Sequence, residues 1–187
     1  MLGKKAIEEE IRRGSISVDN SYDKIFENSI RVHLSDVLKQ YTETLDVAKS
    51  SPTNTIIIPE CGLKIALDNL YLGRTDEYTK TYGFVPILIG TDELAAIGVE
   101  AHITAGFGDN GFEGTWTLEI WCTNETILYT DMPIGEIIYL PVIGEHKYYR
   151  GKYYGQIDTT ESRLSNEYNE EGMVLKYVDK QWNKKTN

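Results

Sequence analysis

Residues 101–121, AHITAGFGDNGFEGTWTLEIW, decide how the rest of the chain is read. In the closing TWTLEIW the side chains of an extended strand alternate between faces. Trp116, Leu118 and Ile120 share one face; Thr115, Thr117, Glu119 and Trp121 share the other. The turn before it, GFGDNG at 106–111, is rich in residues that accept positive φ or allow close backbone approach. The stretch reads as a β-hairpin with a pocket on the Glu119 face. A strand glutamate is more often solvated, since charged residues are mostly exposed. Set between tryptophan-flanked positions beside a glycine-rich turn, Glu119 fits a partly dry pocket. There its pKa is expected to rise toward neutrality, so that it moves protons.

Outward from this segment the chain reads as mainly β. Runs at 29–34, 54–58, 63–72, 84–89, 99–105, 115–121, 126–130 and 136–142 are short, apolar or alternating, and Gly, Pro, Asn and Asp clusters separate them. Many short strands with such punctuation predict a sandwich or barrel. KKAIEEEIR at 4–12 predicts a short helix, with Ile7 and Ile11 on one face and Gly14 placed to end it. Residues 33–48 are compatible with a helical turn or a long loop. With 187 residues the chain is expected to form one domain. The polar, Tyr-, Lys- and Glu-rich stretch 146–187 has little core of its own and must pack on something else.

Composition narrows the function. The formal charge of −10 argues against nucleic acid as a partner but leaves room for a small anionic ligand in a local pocket. No run of about 18 apolar residues exists to span a membrane. The charged start MLGKKAIEEEIRR lacks an apolar signal core, so a cytoplasmic location is expected. Cys61 and Cys122 are isolated and read as buried thiols. The H-x-E and P-C-x-x-C pair of zinc deaminases is absent.

Three segments, in order, resemble the dCTP deaminase branch of the dUTPase-like superfamily. IEEEIRRGSISV followed by ENSIRVHL is similar to the family's opening helix and first strands, with Arg31 where the family has Asp. HITAGFGDNGFEGTWTLE is similar to H-x-T-A-x-x-I-D-P-G-[FW]-x-G-x-x-x-L-E. YYRGKYYGQIDTTESR at 148–163 is similar to Y-x-G-K-Y-Q-G-Q-x-G-P-T-x-S-R. The resemblance implies a dUTPase-like β-barrel or jelly-roll-like fold in a homotrimer with sites between subunits, and a deoxyribonucleotide ligand. It implies zinc-independent attack of water on C4 of cytosine, with Glu119 activating the water and the Ala105 carbonyl helping to hold it. The Thr117 backbone reads the pyrimidine edge, and Asp109 binds the 3′-hydroxyl. Tyr149 (or Tyr148), Lys152 and Gln156 come from the 146–187 segment, which closes over the nucleotide. No tightly bound cofactor is implied, with Mg2+ entering only alongside nucleotide phosphates.

One departure bears on substrate. The family's phosphate-binding segment G-R-S-S-L-A-R-L-G is here Gly90-Thr91-Asp92-Glu93-Leu94-Ala95-Ala96-Ile97-Gly98. Both arginine forks are gone and two acids replace the serines. Like charges 4 Å apart cost about 4 kcal/mol at an effective dielectric of about 20. Phe107 stands where many members have Arg, and Glu136 where many have Gln. Lys147, Arg150, Lys152 and Arg163 are the cations the tail offers in return. Other readings therefore stay open: a member that binds a nucleotide or protein without turnover, as sensor, sponge or regulator, or an enzyme whose substrate differs at the phosphate end. A dUTP pyrophosphatase, with Asp109 activating water, is a near relative, although Phe112 replaces its stacking tyrosine.

Overall fold

The computed structural model describes residues 1–19 and 24–168. Helix α1 (Lys4–Arg13) ends where Gly14 turns left-handed at φ 78°, and buries Ile7 completely. Thirteen strands follow among the described residues: β1 (Ile16–Val18), β2 (Ile30–His33), β3 (Val37–Tyr41), β4 (Thr53–Ile57), β5 (Leu63–Ile65), β6 (Tyr71–Arg74), β7 (Thr79–Thr81), β8 (Phe84–Gly90), β9 (Val99–Glu100), β10 (Glu113–Gly114), β11 (Thr117–Cys122), β12 (Thr126–Leu128) and β13 (Pro133–Pro141). A five-residue helix, α2 (Asp92–Ala96), lies between β8 and β9. The fold is mainly β, as the punctuated strand pattern predicts.

The strands form a five-stranded sheet ordered β4-β3-β6-β11-β9, three-stranded sheets β2-β13-β8 and β1-β7-β10, and the pair β12-β5. Alternation decides which residues meet inside. Ile30 and Val32 of β2, Leu38 of β3, Leu118 and Ile120 of β11, and Ile134, Ile137 and Tyr139 of β13 belong to one buried cluster. Sheets that are each apolar on one face thus share one core.

Three local expectations change. The run 63–72 is two strands, because the chain turns between them with Asp68 at φ 57°. The ambiguous stretch 33–48 contains strand β3, which pairs with both β4 and β6; a two-sided pairing outweighs the weak helical spacing there. Cys61 is exposed; only Cys122 is buried, and neither is in a disulfide.

Two departures from the family pattern explain each other. Arg31 and Glu136 are cross-strand partners in the β2–β13 pairing and form an ion pair at 2.9 Å. Ser29 donates to the second Glu136 oxygen at 2.6 Å, and the Arg31 guanidinium lies 4.2 Å over the Phe26 ring. Both charged side chains are about three-quarters covered, at 25% and 21% exposure, so losing one leaves the other poorly solvated. In a double-mutant cycle of urea melts, Arg31→Met and Glu136→Gln should couple by about 1 kcal/mol. Strictly additive effects would remove this account of the pair.

Candidate functional site

Strand β11 places the site. Leu118, Ile120 and Cys122 point into the core, which leaves Thr117, Glu119 and Trp121 on the opposite, partly open face. Antiparallel pairing with β6 sets Thr117 across from Arg74 and Glu119 across from Leu72. On the other side Trp121 pairs with Glu100 of β9, and His102 bridges Glu119.

The segment between β9 and β11 is not a hairpin turn. Residues 103–116 make a wide excursion that pairs with other strands before returning. Leu88 N donates to Gly106 O at 2.7 Å, Gly108 N to Pro86 O at 2.8 Å and Gly111 N to Thr81 O at 2.7 Å. A Cβ at Gly106 would stand 2.3 Å from the Leu88 carbonyl, so glycine there permits the chain's own close packing rather than close approach to a ligand. β10 then pairs with β7 before the chain enters β11.

The tail covers this face. Gln156 exchanges hydrogen bonds with Thr115: Thr115 N donates to Gln156 O at 2.9 Å, and Gln156 Nε2 donates to Thr115 O at 2.8 Å. Thr160 N donates to Thr117 Oγ1 at 3.2 Å, Ser162 N to the Tyr41 hydroxyl at 2.9 Å, and Lys39 pairs with Glu161 at 2.7 Å. Tyr149 packs near Phe112, which is buried against Trp116. A stretch with little apolar content is thus fixed by polar bonds to strand edges. The 169–187 part of the expected closing segment lies outside the described residues.

Between the tail and β11 is a cavity of about 580 Å3. Ala105, Asp109, Thr117, Glu119, Tyr149 and Gln156 all line it. Lys152 does not; its ammonium is paired with Glu167 at 2.7 Å, and that contact raises its pKa. Tyr148 is half exposed and packs edge-on to Tyr82. Thr104, Tyr41, Tyr153 and Glu161 also line the cavity. Thr104 stands in the H-x-T-A stretch and was open to recognition there. Tyr41 reaches the site only through the pairing of β3, which the sequence left undecided.

The Glu119 carboxylate is held through one oxygen. Thr104 donates to Oε2 from its backbone N at 3.1 Å and from its hydroxyl at 2.8 Å. The His102 ring, 5% exposed, places Nδ1 3.6 Å from the same oxygen, an electrostatic contact longer than a hydrogen bond. His102 is the strongest influence on this carboxyl; burial opposes it and the Thr104 donors add to it, bringing the pKa down to about 2. The expectation of a raised pKa is therefore reversed. Donors to the charged form outweigh partial desolvation, and Glu119 is ionised and able to accept a proton.

None of the residues of the altered segment 90–98 lines this cavity. Thr91 caps α2 by accepting from Leu94 N at 3.4 Å, and Asp92 and Glu93 occupy the first helical turn. Negative side chains are favoured at that end of a helix. Among the described residues no Lys or Arg lines the cavity, while Asp109, Glu119 and Glu161 do. No group of three or more His, Cys, Asp or Glu among them is arranged to hold a metal ion. Cys122 points into the core and donates to the Ala66 carbonyl.

Carbon-detected NMR of the Glu119 carboxyl should give a midpoint of about 2. Thr104→Val and His102→Phe should each raise it, since each removes a group that favours the charged form. A midpoint unmoved by both changes would show that these groups do not set it.

A family model described as dCTP deaminase-like matches residues 1–142. The chain is 40% identical over 155 residues to a "dCTP deaminase, dUMP-forming" of Clostridium acetobutylicum, covering 82% of this chain and 90% of that protein. It is 46% identical over 128 residues to a protein of the same name from Leptospira biflexa, covering 67% and 74%. Among solved structures, the 2′-deoxycytidine 5′-triphosphate deaminase of Agrobacterium tumefaciens superposes with a TM-score of 0.59 at 10% identity, over 74% of this chain. This chain spans 47% of that protein's length, and the likeness is one of fold. On the extent of the family match and the identity to these relatives, the chain belongs to the dCTP deaminase-like family.

Proposed function

We propose that this protein deaminates a deoxycytidine nucleotide without zinc, with Glu119 as the base. The observation that carries the reading is a carboxylate on the wall of a covered cavity, held by Thr104 with His102 beside it. Its recorded contacts fall on Oε2, so Oε1 is the oxygen offered to a water. Glu119 takes a proton as the water oxygen bonds to C4 and passes it to ring N3. It then takes the remaining hydroxyl proton as the C4–N bond breaks, and ammonia leaves with that proton. In this reading Thr117 and Gln156, which line the cavity, meet the polar base edge, Ala105 holds the water, and Asp109 and Tyr149 meet the sugar side. The names of the relatives support this base chemistry.

The protein is further proposed to act as a homotrimer. Ile103 and Phe107, 45% and 64% exposed on the cavity wall, are apolar surface that a neighbouring copy would cover. A neighbour is also a source of the cations that this chain's cavity wall lacks. The missing arginines favour a second reading, nucleotide binding without turnover. Lys152 enters either reading only after exchanging Glu167 for a ligand anion.

Chromatographic analysis of dCTP, dCMP and deoxycytidine incubations with Mg2+, using three-copy particles verified by light scattering, tests the proposal. A deoxyuridine product that disappears in Glu119→Gln is expected. No product from any of the three, with nucleotide binding intact, would establish the second reading. If a neighbouring copy brings its segment 90–98 to the cavity, the combined variant Thr91→Arg, Asp92→Ser, Glu93→Ser, Ala96→Arg should tighten dCTP binding at least about tenfold, because charge-assisted donors replace repulsion. Unchanged affinity would place phosphate recognition elsewhere.

A further inference from the structure

Glu119 lies between a polar end of the cavity wall at Thr117 and Gln156, with Phe112 and Trp116 beside them, and an end at Leu70 and Leu72 that Tyr41 and Glu161 also line. At the polar end Thr117 Oγ1 accepts from Gln156 Nε2 at 3.3 Å and from Thr160 N at 3.2 Å. Gln156 Oε1 is buried there without a partner among the described residues, an acceptor that a ligand N–H would satisfy. At the other end, Leu72 stands across from Glu119 in the strand pairing. It lines the cavity and is 6% exposed, already covered by the protein itself. Leu70, two residues earlier, also lines the cavity. The pairing runs from Thr117–Arg74 to Glu119–Leu72, so Leu70 is displaced beyond Glu119, away from Thr117. Leu45, 54% exposed, also lines the cavity.

A cytosine reacting at C4 presents two different edges beside that carbon: polar N3 and apolar C5. With C4 at Glu119, the polar edge belongs at Thr117 and Gln156, and C5 then faces Leu70 and Leu72. Leu70 is half-buried, and a methyl or similar group at C5 covers apolar surface there that a hydrogen leaves open. We infer that the site selects cytosine nucleotides carrying an apolar C5 substituent, and that Leu70 and Leu72 are the specificity-determining residues. This rests on the deaminase reading above.

The test compares 5-methylated with unsubstituted deoxycytidine, supplied as nucleosides and as triphosphates. It measures kcat/KM in the wild-type protein and Kd in Glu119→Gln, where turnover does not interfere. A pocket that fits one added carbon discriminates about tenfold or more, so a preference of that size for the methylated form is expected in both measurements. Leu70→Phe should abolish or reverse it by filling the space. Leu70→Ala should move the preference toward a 5-propynyl substituent, an outcome that requires a folded protein. Turnover without a methyl preference overturns the inference and leaves the deaminase reading standing. A Kd preference without turnover overturns the deaminase reading and keeps the selection. A methyl preference unchanged by both Leu70 variants overturns the assignment to this wall.

Discussion

The strict alternation of β11 is the constraint on which the rest depends. Leu118, Ile120 and Cys122 have to be inside, because the core shared by the sheets is built around them. That requirement leaves Glu119 on the other face, and pairing with β6 and β9 fixes its height in the sheet. A one-residue slip would bury the carboxylate in hydrocarbon and expose the core residues. The position of this carboxylate is therefore enforced by hydrophobic burial on the reverse side of the same strand. His102 bridges to that group just before the excursion through 103–116, which brings Thr104 to it and whose glycines let it lie flat against β8.

Changes that look damaging one at a time have structural partners. Arg31 and Glu136 answer each other across two strands. Asp92 and Glu93, unsuitable for holding phosphate, suit the start of α2, where Thr91 supplies the cap. The segment has kept a helix with a favourable first turn while giving up arginine chemistry.

Much of the architecture was legible in the sequence because it is written in periodicity. Helix α1 with its terminal Gly14, the β-rich middle and the two faces of β11 all follow from short-range patterns. The three resembling segments carried the family, and six expected site residues line one cavity: Ala105, Asp109, Thr117, Glu119, Tyr149 and Gln156. Long-range matters were less visible. β3 depends on strands far along the chain, and the supposed hairpin is opened by pairing with β7 and β8. The direction of the Glu119 shift depended on counting donors in space, and Lys152 is diverted by Glu167, fifteen residues on.

The tail has a thermodynamic character unlike the rest of the fold. Between Gly155 and Arg163 its attachments are backbone and side-chain hydrogen bonds and one partly exposed ion pair. Folding exchanges bonds to water for these, so each contributes only about 1 kcal/mol net. Strand β11, by contrast, is held by burial and opens only with the core. Two free-energy scales thus coexist at one cavity: a floor whose exposure needs global unfolding, and a cover whose local opening costs far less. Opening of the cover is thereby uncoupled from the stability of the fold that positions Glu119.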